Sequence, residues 1–184
     1  MDESGFAIGT SQTSRALVNA RELSRWKAIP GRQEWVTTIE CISAAGTALP
    51  PLLIFKAKHT NSSWIPKGTP TDWHFTTSNS GWTSDSHGYE WLTQVFEPAT
   101  RPAIRSQRRL LVMDGHASHI TARVISFCVG HAIDLLIMPP HCSHILQPLV
   151  VSMFSPFKQA LASETDALSR LDIKRLQRGN GQKC

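Results

Sequence analysis

The chain has 184 residues, 41% of them hydrophobic and 18% charged, which suits one globular domain with a sizeable core and leaves two full domains cramped. No apolar run approaches the roughly 18 to 20 residues of a membrane span, and Met1 is followed by Asp2 and Glu3 rather than a basic then apolar leader, so a soluble chain without a secretory signal is expected. Cys41, Cys128, Cys142 and Cys184 are widely spaced without a CxxC pair, which points away from a disulfide framework or a zinc ribbon and toward a reducing compartment. The net charge of +5 is a weak vote for a polyanionic partner.

Along the chain, Arg15 to Asn19 reads as a short strand reached through the polar stretch Thr10 to Ser14. Trp35 to Ala44 is rich in β-branched residues, and Gly46 separates it from Leu49 to Lys56, so the two read as a β-hairpin. Pro50 and Pro51 place the start of the second strand at an edge or a bulge. Lys58 to Ser86 is dense in Thr, Ser, Asn, Gly and Pro, interleaved with Trp64, Trp73, Phe75 and Trp82, and reads as a long irregular insertion pinned by aromatics. Gly88 to Phe96 carries Trp91, Leu92, Val95 and Phe96, the stripe of an amphipathic helix that Pro98 or Pro102 ends.

The second half alternates strand and helix in the order of a βαβ unit. Arg109 to Met113 predicts a buried strand, Ser118 an N-cap for a helix from His119 to Gly130, and Ala132 to Met138 a second strand stopped by Pro139 and Pro140. Ile145 to Lys158 shows a helix-like apolar stripe with Pro148 and Pro156 near its ends, and Ser163 to Cys184 is charged and finishes as a frayed end.

Asp114 immediately follows the predicted strand, a frequent metal or catalytic position at the carboxyl end of a buried strand, and equally a turn cap with Gly115. Asp2 and Glu3 could sit on a strand end in the same way or simply face solvent. His116 and His119, and His141 and His144 flanking Cys142, are two pairs from which a zinc site is imaginable, against the ordinary reading of loop histidines bonded to backbone. Neither Ser118 nor Ser143 lies in a GxSxG elbow.

The blocks MDESGFAIG, PGRQEWVTTIECISAAGTALPPLLIFKAK, GWTSDSHGYEWLTQVFEP, RRLLVMDGHASHIT and PPHCSHILQPLVVSMFSPFK, in this order, closely resemble the DDE superfamily endonuclease domain of pogo-type transposases in the mariner group, relatives of the jerky and centromere-protein-B-like proteins. The resemblance covers nearly residues 1–161, leaving 162–184 as a charged tail. It implies an α/β, ribonuclease-H-like (retroviral-integrase-like) mixed sheet flanked by helices, and DNA cleavage and strand transfer by two Mg²⁺ or Mn²⁺ ions on three acidic residues. Such ions, about 3.5 to 4 Å apart, activate the attacking oxygen and stabilise the leaving one, and being hard they need oxygen ligands. Carried over by motif, Asp2 matches the first aspartate and Asp114 the second. The third belongs in the family's LQPLD segment, which here reads Leu146, Gln147, Pro148, Leu149, Val150.

An isopropyl group cannot hold a metal, so Val150 implies a degenerate active site. Glu164 lies 14 positions further on, about 21 Å along a helix, too far to substitute. Only Met1 precedes Asp2, so the expected fold lacks most of its first strand, the sequence-specific DNA-reading region that precedes this aspartate in the family is absent from this chain, and the sequence reads as a fragment or degenerate copy. Three functions remain open: an impaired, nucleus-located, DNA-binding domain of transposable-element origin with Arg101, Arg105, Arg108 and Arg109 on phosphates; an active endonuclease completed by Glu3 or His144; and a domesticated, non-enzymatic interaction module using the tryptophan-rich insertion or basic tail. The arginines read equally as a solvated helix end, and self-association is left undetermined.

Overall fold

A computed structural model describes residues 1–8, 34–104, 107–116, 119–139, 142–165 and 167. The predicted strand at Arg15 to Asn19, Arg105, Ser118, His141 and the chain after 167 lie outside the described residues. The chain divides into two units, Met1–Phe6 with Trp35–Phe154, and Ala7–Glu34 with Ser155–Cys184. In the second, residues 155–165 are helical.

The amino-terminal strand, expected to be mostly lost, is present: Asp2–Ile8 forms the seven-residue strand β1. The expectation of its loss counted residues before Asp2, whereas the strand runs forward from it. Asp2, Ser4 and Phe6 are buried while Glu3, Gly5 and Ala7 are half-buried, the period of two that a strand imposes. The predicted hairpin forms as β2 (Glu34–Glu40) and β3 (Leu52–Lys56), antiparallel with Val36 opposite Phe55 and Ile39 opposite Leu52. Gly46, at φ 85°, takes the left-handed turn conformation that costs a glycine least. Pro50 and Pro51 stay just outside the ladder, so β3 can be an interior strand.

The insertion is not irregular throughout. His74–Ser78 forms β4, parallel to β3 from Leu52 opposite His74 to Lys56 opposite Ser78. Its sequence, HFTTS, lacks a clean apolar alternation because all five residues are half-buried, so the pairing with β3 and not composition makes it a strand. The sheet order is β1-β2-β3-β4, beside a second sheet of β5 (Arg109–Met113) and β6 (Ile133–Ile137). The amino-terminal amine of Met1 donates to the Val112 carbonyl at 2.9 Å, tying the start of β1 to β5.

Asp85–Trp91 forms α1, which passes through a π-helical turn at Leu92–Phe96 into α2 (Glu97–Thr100). The predicted stripe of Trp91, Leu92, Val95 and Phe96 is buried. Pro98 does not end this helix, because it falls in the first turn of α2, where the Glu97 N–H already reaches back five residues to Leu92. Pro102 does end it, holding Arg101 at ψ 120°. The βαβ unit forms as expected, with β5 and β6 parallel and Leu111 opposite Leu135. Its helix, α3 (Ala122–Gly130), begins later than predicted, capped by Thr121 Oγ1 accepting from the Val124 N–H. Ser143–Leu146 forms α4, followed by a second π-helical turn at Leu149–Phe154.

Ile39, Leu52 and Ile54 of the sheet, Trp91, Leu92, Val95 and Phe96, Leu111 and Met113, and Val124 and Cys128 make one buried cluster. Leu111→Ala is expected to cost about 2 to 5 kcal/mol, read as a lower urea midpoint; an unchanged midpoint would contradict its placement in the core. Gly5 crosses Trp35 so closely that a Cβ there would stand 2.5 Å from the indole Cζ2, which only the absence of a side chain permits.

Candidate active site

β1 and the carboxyl end of β5 deliver the acidic residues. Asp2 is the first residue of β1 and buried, and Asp114 follows Met113 directly, half-buried. Burial raises the Asp2 carboxyl to about 6, against a backbone hydrogen bond from Glu3, and the nearby Asp114 charge pushes the same way. The two aspartates matched by motif are therefore electrostatic neighbours.

Between Asp114 and β1 stands His119, 1% exposed. Its Nδ1 lies 2.8 Å from Asp114 Oδ1 and its Nε2 3.3 Å from Glu3 Oε2. A ring with a carboxylate at each nitrogen is best matched as an imidazolium donating to both. Burial opposes the charge, yet the bonds to Asp114 and Glu3 outweigh it and raise His119 to about 9. Reciprocally, the His119 bond holds Asp114 below the usual carboxylate range despite burial, and bonds from His119 and Thr83 do the same for Glu3 against a larger burial effect. The sequence reads His119 as a helix start, a backbone-bonded loop histidine or a zinc ligand, not as a carboxylate partner; its place five positions after Asp114, on the short loop into α3, is the available signal.

The third motif position comes to this region through Gln147. Its side chain is buried and Nε2 donates to the Met1 carbonyl at 3.1 Å, while its Oε1 has no partner. Val150 follows in the π-helical turn Leu149–Phe154, half-buried and without a polar atom on its side chain. Gln147 was not singled out by the sequence reading, although it stands inside the LQPLV segment. His144, the other substitute ligand considered, is exposed on α4.

These residues do not fit a two-metal centre. Valine removes one anionic ligand, and the Asp114 and Glu3 carboxylates are committed to an internal cation. Among the described residues no group of three or more His, Cys, Asp or Glu could hold a metal ion. His119, with both ring nitrogens engaged, is equally unavailable for zinc.

The arginines are drawn into the protein's own ion pairs. Arg109 is largely buried, with a terminal nitrogen 2.6 Å from Glu97 Oε2 and further bonds to Thr100 Oγ1 and the His131 carbonyl. Arg101 pairs with Glu97 Oε1 at 3.0 Å but is otherwise exposed, and Arg108 engages both carboxylate oxygens of Asp134. Buried Glu97 is thus a shared anchor for two of them, four residues before Arg101 and, through packing, beside Arg109.

A family model described as DDE superfamily endonuclease matches residues 32–178. Among curated proteins, the chain is 41% identical over 168 residues, 91% of its length, to a Cochliobolus lunatus protein named MFS-type transporter clz9, of which it covers 18%. It is 26% identical over 136 residues, 73% of its length, to the mouse pogo transposable element with KRAB domain, of which it covers 22%. The human pogo transposable element with ZNF domain is 26% identical over 129 residues, 70% of this chain and 9% of that protein. The chain thus spans about a fifth or less of these relatives. No solved structure matches. Among the described residues no helix is long and apolar enough to cross a membrane.

Proposed function

Because this chain belongs to the DDE superfamily endonuclease family, and within it to the pogo type, we propose that it is a transposase-derived domain that binds nucleic acid in the nucleus and is catalytically impaired. Its fold on this reading is ribonuclease-H-like, with β1 linked to β5 at Met1. Asp2 and Asp114 are what remains of the metal-binding set, and Val150 stands in the third position. The observation that carries impairment is the pairing of this valine with His119 bridging Asp114 and Glu3. A protein cation there neutralises the carboxylates that dications otherwise would, and two carboxylates hold two dications poorly against their mutual repulsion.

The family's reaction is in-line phosphodiester displacement. What this chain's own residues do is narrower: His119 orients the Asp114 and Glu3 carboxylates, and Gln147 fastens the LQPLV segment to the start of β1. A transport activity does not carry over from the Cochliobolus lunatus relative, since the alignment covers 18% of that protein and this region matches the endonuclease family.

The test is calorimetric titration of Mn²⁺ into wild type and Val150→Asp, after circular dichroism shows both folded. The aspartate variant is expected to bind Mn²⁺ more tightly than the wild type, which keeps only Asp2 and Asp114 of the set. Equal binding by wild type would overturn the impaired reading.

A further inference from the structure

Arg101, Arg108 and Arg109 are held in ion pairs, whereas lysines of the insertion are not. Among the described residues Lys56, Lys58 and Lys67 form no salt bridge. Between Leu52 and Ser78 these three lysines, with His59 and His74, face a single acid, Asp72. The same stretch carries Phe55, Trp64, Trp73 and Phe75. Phe55 and Phe75 stack with centroids 6.3 Å apart and planes 19° from parallel, and Trp64 lies 5.3 Å from Phe55.

Register sets which way this cluster looks. Leu52 and Ile54 of β3 enter the core, so Phe55 and, opposite Leu53, Phe75 belong to the other face of the sheet. Trp73 shares the parity of Phe75 one step before β4. Trp64 is 39% and Trp73 40% exposed, a large indole area left in water on the same stretch of chain as Lys58 and Lys67. β4 is the last strand of its sheet.

We propose that this outer face of β3 and β4 is a stacking platform for single-stranded nucleic acid, with Trp64 and Trp73 receiving bases and Lys58 and Lys67 meeting phosphates. Charge complementarity selects this occupant: an apolar protein surface would cover the indoles but leave Lys58 and Lys67 without counter-charge, whereas a single strand offers ring faces and phosphates at short intervals. Stacking is tolerant of sequence because every base has a π-face, so no base-reading code is required. The platform rests on the nucleic-acid-binding part of the function proposed above, and not on its metal chemistry.

The experiment is fluorescence anisotropy of labelled oligo-dT and oligo-U with the full chain in EDTA, comparing wild type, Trp64→Ala, Trp64→Phe and Lys58→Ala/Lys67→Ala, each checked for fold by circular dichroism. Trp64→Ala is expected to weaken binding about 5- to 150-fold, while Trp64→Phe keeps most of it. The lysine variant is expected to lower the steepness of the salt dependence by about 0.7 per lost phosphate contact. A preference between oligo-dT and oligo-U then says which nucleic acid is the ligand. Unchanged binding by folded Trp64→Ala and lysine variants overturns the platform alone, and no binding by wild type at low salt overturns the nucleic-acid reading with it. A Trp64→Ala variant that binds normally but loses self-association would assign the face to a second copy of the chain and refute the proposal.

Discussion

His119→Ala is expected to destabilise the fold by about 3 to 5 kcal/mol, the cost of removing one partner from a buried charge network. Among the described residues the imidazolium is the one group hydrogen-bonded to Asp114 and Glu3 together, and its loss leaves both carboxylates beside buried Asp2 with less compensating charge. The pH dependence follows in sign. A group raised from 6.5 in the unfolded chain to about 9 in the fold contributes stability that is fully present below 6.5 and is lost as pH climbs through 9. The shift corresponds to roughly 3 kcal/mol. Urea unfolding from pH 6 to 9.5 is therefore expected to show wild-type stability declining with pH, and His119→Ala with no such decline. Asp2, raised to about 6, acts at lower pH: its contribution is greatest below 3.8 and falls as pH rises through 6. A wild type of constant stability between pH 6.5 and 9 would refute the ion-paired state of His119.

Trp91→Ala should cost about 3 to 5 kcal/mol for a different reason. The indole is 1% exposed, at the centre of the core cluster, with Phe96 at 5.5 Å between centroids. Deleting it opens a void bordered by Leu92, Met113 and Val124 that the rigid strands cannot collapse into. Trp91→Phe separates burial from polarity. The indole Nε1 has no hydrogen-bond partner, so phenylalanine loses contact area but also removes an unpaired buried donor, and should cost clearly less than alanine. Thermal or urea denaturation of the two variants measures this, and a phenylalanine variant as unstable as alanine would show that the N–H is satisfied.

What the sequence made legible was whatever repeats with a short period. The hairpin, the Trp91–Phe96 stripe and the βαβ unit were each visible because apolar residues recur at two or near 3.6 positions. β4 was hidden because HFTTS is held by backbone pairing to β3, which leaves no trace in local composition. The helix start was misplaced because Ser118 looked like a cap while Thr121 is one. At the site, Asp2, Asp114 and the valine at 150 were found through motif resemblance. Glu3 and His119 were named without their bond, since they are separated by 116 positions. The arginines were read by charge alone; the Glu97–Arg101 pair is a local four-residue spacing, whereas Glu97 meets Arg109, and Asp134 meets Arg108, only through tertiary packing.

The close crossing of Gly5 and Trp35 acts as a register lock for the acidic site. Sliding β1 by one residue along β2 would put Ser4 or Phe6 beneath the indole, where even a Cβ has no room. The same slip would exchange the two faces of the strand, turning Asp2 away from Asp114 and Glu3 away from His119. A residue with no side chain thus helps to set which carboxylates meet, and a Gly5→Ala change would strain the strand that carries a site it never touches.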